Sequence, residues 1–325
     1  MSTTPRSDHG TARLSPRIGL GSRPGVAAAL GAFAIAFSGI LVRLADVSPS
    51  TAAVFRCVYA LPALGLLAWM ERRRYGPRPP RQRWLALLAG VFFTADLILW
   101  HNSIAYVGAG LATVLGNVQV VLVGVVAWML LRERLSVRLL VAIPVVLAGI
   151  VLISRVLEEG AYGANPALGV LFGVLTAVAY TGFILILRQS NRDIRRPAGA
   201  LFDATLASAV VSIAAGWLLG ELDPLPPAVS QAWLVALALS AQVVGWLLIS
   251  ISLPRLPAAM TSILLTLQPV GAVIFAMLLL AEAPSPLQLV GVGFVLAGVI
   301  VAAWRKRPSG EEQPSVEAAV IEPAG

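Results

Sequence analysis

The chain has 325 residues, 58% hydrophobic and only 12% charged, with a formal net charge of +8. Soluble domains carry about 25% charged residues, so this composition excludes a soluble protein and fits helices embedded in lipid. A single cysteine, Cys57, excludes a disulfide framework, and two histidines without an HExxH, CxxC or GxxxxGK[ST] pattern leave no familiar zinc or P-loop site. No cofactor, metal or nucleic-acid partner is expected.

Residues 1–24 are rich in Ser, Thr, Pro and Arg without an apolar core, and read as a disordered cytoplasmic segment, not a signal peptide. Breaks at Pro, Gly and Arg then divide the chain into ten apolar segments: 25–45, 50–70, 84–106, 110–131, 137–154, 167–187, 199–220, 230–253, 258–281 and 286–304. At ~1.5 Å rise per residue each is long enough for a hydrocarbon core of roughly 30 Å. Residues 305–325 form a second disordered tail. The predicted fold is an all-α polytopic membrane protein of ten transmembrane helices.

Basic residues mark one face of the membrane. Arg72, Arg73, Arg74, Arg78, Arg81 and Arg83 fill the second break, Arg132, Arg134 and Arg138 the fourth, Arg188, Arg192, Arg195 and Arg196 the sixth, and Arg255 the eighth. Arg6, Arg13, Arg17 and Arg23 precede the first segment and Arg305, Lys306 and Arg307 follow the last, on the same side, and only Arg43, Arg56 and Arg155 remain elsewhere. Lys/Arg excess marks the cytoplasm, so both termini are expected inside a cytoplasmic membrane. The opposite loops are neutral or acidic, as at Glu158, Glu159, Glu221 and Asp223. Trp69, Trp84, Trp128, Trp217, Trp233 and Trp304 sit near segment ends, as an interfacial belt requires.

The chain also repeats itself. At an offset of 149, Gln82 and Trp84 meet Gln231 and Trp233, Gln119 meets Gln268, and Glu133, Ser136 and Gly149 meet Glu282, Ser285 and Gly298. At an offset of 147 Arg56 meets Asp203, and at 143 Phe37 meets Tyr180. Two five-segment units, 25–154 and 167–304, follow. Five is odd, so the second unit enters from the other side and the repeat is inverted, a geometry suited to alternating access.

On these residues the chain resembles the drug/metabolite transporter superfamily, and more closely its ten-helix EamA-type branch. That family commonly carries a Pro thirteen residues before the Glu that follows segments 4 and 9. Pro269 and Glu282 match it, whereas Val120 stands where the first half has Pro, which implies that the local helix break is missing there. Gly39 and Arg56 also match common family positions. The resemblance implies a transporter of metabolites or drugs and leaves the substrate open.

An ionisable group deep in a bilayer is costly and marks function by default. Asp96 is the deepest, with Trp100 and Ser103 on its face at i, i+4, i+7 spacing. It either contacts a substrate amine or cycles a proton, or else pairs between helices. Arg56 either receives a substrate carboxylate, pairs with Asp96 or snorkels outward. Asp203 is expected at headgroup level, solvated there or paired with Arg195 and Arg196, and Arg43 with Asp46 as an exposed i, i+3 pair. Gln119, Gln268 and Asn117 offer uncharged donors and acceptors to a polar solute, or bond between helices. Gln242, Trp246 and Tyr180 complete a candidate wall of amides and aromatics. His101 reads as an interfacial histidine bonded to a neighbour, and Glu133 and Glu282 as caps of the helices that follow them or partners of nearby arginines. The glycines, Gly108, Gly149, Gly291 and Gly298 among them, read as sites of close helix approach.

The leading expectation is a secondary transporter, not an enzyme, that moves an amino-acid-like or amphipathic solute, outward by family habit. An exporter of uncharged or cationic lipophilic compounds is the alternative. An intramembrane enzyme would need a nucleophile with its base, and no such cluster is present in the sequence; a channel or scaffold would not need an inverted repeat with matched polar positions. The partners are a small-molecule substrate and the lipid bilayer, with a homodimer also admitted.

Overall fold

The computed structural model describes residues 24–131, 137–154, 157, 160–191, 193, 195–252 and 258–303. Glu133 and Trp304 lie outside the described residues, as do the two terminal segments up to residue 23 and from residue 304. Every regular element among the described residues is helical.

The elements in order are α1 (Pro24–Ala36), α2 (Ser38–Ala45), α3 (Pro49–Tyr75), α4 (Pro80–Val107), α5 (Ala109–Gly116), α6 (Gln119–Leu131), α7 (Val137–Ile153), α8 (Pro166–Ser190), α9 (Pro197–Leu219) and α10 (Ala228–Leu237). A π-helical stretch, Ala238–Gly245, leads into α11 (Trp246–Ser252), and α12 (Ala258–Leu279) and α13 (Pro286–Ala303) close the chain. Starts are set locally. Proline opens α3, α4, α8 and α9, where its missing N–H costs nothing. Ser48 and Asn165 cap α3 and α8 by accepting from Thr51 N and Leu168 N.

Seven stretches are long and apolar enough to cross a membrane: Pro24–Ala45, Pro49–Tyr75, Pro80–Val107, Ala109–Val126, Pro166–Ser190, Pro197–Leu219 and Ala228–Ser252. Shorter apolar helices, Val137–Ile153, Leu267–Leu279 and Pro286–Ala302, accompany them. The chain is therefore an all-helical, multi-pass membrane protein. Trp84, Trp217 and Leu218 turn outward, as lipid-facing side chains do.

The halves pack reciprocally. The equivalent helices α3 and α9 lie together, as do α7 and α13, and the α1 contact with α12 is mirrored by that of α8 with α5 and α6. Lipid tails give helices little hydrophobic reason to associate, so close packing of small residues has to supply it. A Cβ on Gly149 would lie 2.7 Å from the Gly291 carbonyl, and one on Gly298 3.2 Å from the Ala142 carbonyl. Residues 142 and 291, like 149 and 298, occupy the same repeat position, so the α7–α13 crossing is symmetric residue by residue.

The start of α3 is also held by the segment that follows α9, and the start of α9 by the last turns of α3. Ser48 and Thr51 hydroxyls donate to the Glu221 carbonyl at 2.5 and 3.1 Å, and Ser50 donates to its carboxylate at 2.8 Å. At the opposite end Glu71 accepts from Ala198 N and Gly199 N at 2.9 and 2.7 Å.

Four expectations are corrected. Asp203 pairs with Arg78 at 2.8 Å and Arg83 at 3.5 Å, not with Arg195 and Arg196, because those two turn to Asp193 at 2.9 Å. Arg43 and Asp46 form no ion pair among the described residues; Asp46 instead ends α2 with a left-handed φ of 47°. Glu282 caps not the helix that follows it but α5 in the other half, accepting from Ala109 N at 2.7 Å and Gly110 N at 3.2 Å. The following helix, α13, is started by Ser285, which accepts from Gln288 N at 3.1 Å while Gln288 accepts from Ser285 N at 3.0 Å, a reciprocal capping box. Finally, a helix break is present in the first half despite Val120. Asn117 and Val118 separate α5 from α6, with Val118 N bonded to Leu115 O at 3.1 Å, a tight three-residue step. The Asn117 side chain donates to Thr113 O at 2.8 Å, and such local competition after a glycine interrupts a helix without proline. In the second half Pro269 sits inside a continuous α12.

Candidate functional site

The central cavity lies among α1, α3, α4, α5, α8, α11 and α12. Its lining includes Arg56, Phe93, Asp96, Trp100, Thr113, Asn117, Thr176, Tyr180, Trp246 and Gln268. Seven of these, Asp96, Arg56, Trp100, Asn117, Tyr180, Trp246 and Gln268, are sites expected from the sequence. Asp96 and Trp100 share one face of α4 as their spacing requires, and Ser103, farther along that face and outside the cavity lining, donates to Gly169 O on α8 at 2.8 Å. Belt and cavity tryptophans separate cleanly: Trp84 and Trp217 are 72% and 70% exposed, Trp100 and Trp246 only 9% and 6%.

Two expected residues stand outside the lining. Gln119 is half-buried at the start of α6, two residues beyond Asn117, which does reach the cavity. Its repeat mate Gln268 sits on the continuous α12 and does reach the cavity. Gln242 is fully buried behind the wall, where it orients Arg56. Its Oε1 accepts from Arg56 Nε at 3.1 Å, and its Nε2 donates to Thr205 Oγ1 at 3.1 Å. Gln242 belongs to the π-helical stretch, and such wider turns recur at functional sites.

Only the Nε edge of the Arg56 guanidinium is engaged by Gln242, and its flat face lies 5.8 Å from the Phe93 ring centroid and 5.9 Å from that of Trp100. No ion pair joins Arg56 to Asp96 among the described residues. The cavity thus carries one cation and one carboxyl side by side but not clasped. Phe93 and Trp246 form the apolar side, backed by the fully buried Phe183, which stacks on Phe93 at 4.5 Å and stands edge-on to Trp246 at 5.3 Å. Phe93 is the functional residue that the sequence reading missed. It stands at the repeat position of Gln242, a pairing that the matched polar positions did not bring out.

Two polar atoms of the lining, Trp246 Nε1 and Thr176 Oγ1, are buried without a hydrogen-bond partner among the described residues. Buried polar groups are nearly always satisfied, so an orphaned donor facing a cavity fits an acceptor that arrives with a ligand or water. The cavity holds about 70 Å³, room for a few waters. His101 lies in a separate small pocket with Arg43 and Asp46, its Nδ1 3.0 Å from the Pro49 carbonyl, so Nδ1 carries the proton and donates. A bond to a neighbour is the role expected of it. Among the described residues no cluster of metal-ligating side chains occurs.

No curated protein matches this chain. One solved crystal structure, described simply as that of a protein, is similar in fold. It is 18% identical, with a TM-score of 0.58 over 86% of this chain and 96% of its own. The family model of the EamA-like transporter family matches residues 24–155 and again residues 167–304. Both copies of the repeated unit being matched, the chain belongs to the EamA-like transporter family, membrane transporters of small solutes.

Proposed function

We propose that this protein is a secondary transporter that exports a zwitterionic, amino-acid-like solute across the cytoplasmic membrane by alternating access. In this reading ten helices span the membrane as two inverted halves, with both termini in the cytoplasm, and the central cavity is the transport site. Arg56 and the Trp246 N–H receive the carboxylate, Asp96 receives the amine, and Phe93, Trp100 and Tyr180 flank an apolar side chain. Asn117, Gln268 and Thr176 supply exchangeable hydrogen bonds.

The observation that carries the reading is that Arg56 and Asp96 line one cavity with no ion pair between them among the described residues. A clasped pair would leave a neutral cavity suited to uncharged or cationic lipophilic compounds; an unclasped pair suits a ligand bearing both charges. The cavity volume, about 70 Å³, is small for an amino-acid-like solute, so in this reading the site widens as the halves move during alternating access.

The test is binding of an aromatic amino acid, its amide and its deaminated acid to purified protein. Loss of either charge is expected to weaken binding by about tenfold or more, equivalent to ~1.4 kcal/mol per decade. Equal binding of all three would defeat the zwitterion model and favour lipophilic compounds.

A further inference from the structure

A second cavity, of about 250 Å³, shares no lining residue with the central one. It lies between the end of α3, the Gly76–Pro79 link and the start of α9, at the arginine-rich end of the bundle. Along α3, Gly65, Ala68, Trp69 and Arg72 follow i, i+3, i+4, i+7 spacing, so within ~10 Å the wall passes from apolar to cationic. Phe202 of α9 covers the apolar end, where a Cβ on Gly65 would lie 3.2 Å from its ring.

The slot has four arginines against two acids, and the acids are already committed. Glu71 accepts the two N–H groups that start α9. Asp203 holds Arg78, whose other terminal nitrogen donates to Ser190. Arg196 is occupied by Asp193 and the carbonyls of Gly76 and Pro77. Arg83 differs: it reaches Asp203 only at 3.5 Å and its side chain is 58% exposed. The exposed Arg72 side chain makes no ion pair or hydrogen bond among the described residues. One guanidinium without a described partner, Arg72, and one held only loosely and largely exposed, Arg83, therefore stand at the mouth of the slot.

We propose that this slot binds a phosphodiester anion, the headgroup of an anionic phospholipid, with Arg72 and Arg83 on the phosphate and an acyl chain along Gly65, Ala68 and Phe202. The apolar wall below the arginines favours a lipid over free phosphate. A zwitterionic headgroup brings its own ammonium to compete for the phosphate, so the slot prefers net negative lipids. The proposed topology enters only in naming the leaflet, the cytoplasmic one, where anionic lipids meet basic segments. Because α3 and α9 belong to different halves, the bound lipid links them at that end.

The test follows thermal unfolding of the full chain in detergent, without transport substrate, on adding phosphatidylglycerol, phosphatidylcholine of the same chains, or inorganic phosphate. Phosphatidylglycerol is expected to raise the midpoint by a few degrees over phosphatidylcholine. The shift is expected to fall by at least half in the Arg72→Gln, Arg83→Gln double variant and to persist in Arg81→Gln, an exposed arginine outside the slot. Should the double variant not fold in phosphatidylcholine, Arg72→Gln alone is read by the same criterion. An equal shift with phosphatidylcholine, the full shift with phosphate alone, or an equal loss in Arg81→Gln would each overturn the proposal.

Discussion

At the scale of single residues, the two aspartates that sequence depth distinguishes also differ in surroundings. Asp96 lines the central cavity without an ion-pair partner among the described residues, while Asp203 is tied to Arg78. Asp96→Asn is therefore expected to lower transport at least tenfold with little change in thermal stability. Asp203→Asn is expected to cost ~1–3 kcal/mol of stability, because the Arg78 side chain, 9% exposed, loses its anion. Flux per folded molecule, with unfolding midpoints measured alongside, checks both; a larger flux loss in Asp203→Asn would reverse the assignment. Polar and aromatic residues rare enough to stand out in an apolar segment, such as Asp96, Trp100 and Gln268, were legible in the sequence. Phe93 and Thr176 were not, since a phenylalanine or threonine in lipid is unremarkable until its neighbours are known. The partners of Asp203 were missed because sequence proximity favoured Arg195 and Arg196, whereas the α3–α4 link brings Arg78 from 125 residues away.

At the scale of elements, contacts between the halves decided what sequence neighbours could not. Glu282 was legible as a cap but not as the cap of α5, whose start is 173 residues earlier in the chain. That cap meets a glycine already in the positive-φ region: Gly108 has φ +89°, and a Cβ there would lie 2.6 Å from Glu282 Oε2. Gly108→Ala is expected to cost more than ~1 kcal/mol. Glu282→Ala is expected to cost about 1–2 kcal/mol, and Glu282→Gln less, since its amide oxygen still accepts. Thermal unfolding in detergent gives the order, and Gln no better than Ala would refute the capping role. Burial holds the Glu282 carboxyl above the ordinary carboxylate range, against the opposing pull of the Ala109 and Gly110 N–H groups and Arg43. The folded state thus binds this proton more tightly than the unfolded chain, so its contribution to stability is full below the ordinary Glu range and is lost as pH rises through the raised value. Wild type is expected to lose more stability than Glu282→Gln across that window; parallel pH profiles would contradict the assignment. The first-half helix break was missed for a related reason. The usual proline is absent, and Gly116 and Asn117 supply a different local means.

At the scale of the whole molecule, the repeat was the most legible feature, because matched positions at a fixed offset carry information that no single helix does. The Gly149–Gly291 and Ala142–Gly298 contacts restate it in space. Orientation in the membrane rests on the arginine asymmetry, and a reporter active only in the cytoplasm, fused after Arg307, is expected to be active, while one at Glu159 is silent. Activity at Glu159 would reject the proposed topology. The central claim is that an unclasped Arg56 and Asp96 hold a zwitterion in a site that opens to each side in turn. Counterflow of a labelled aromatic amino acid into proteoliposomes preloaded with the unlabelled compound tests it most directly. Uptake is expected with wild type, with at least tenfold less in Arg56→Gln and in Asp96→Asn despite intact folding; undiminished uptake in either variant would contradict the account.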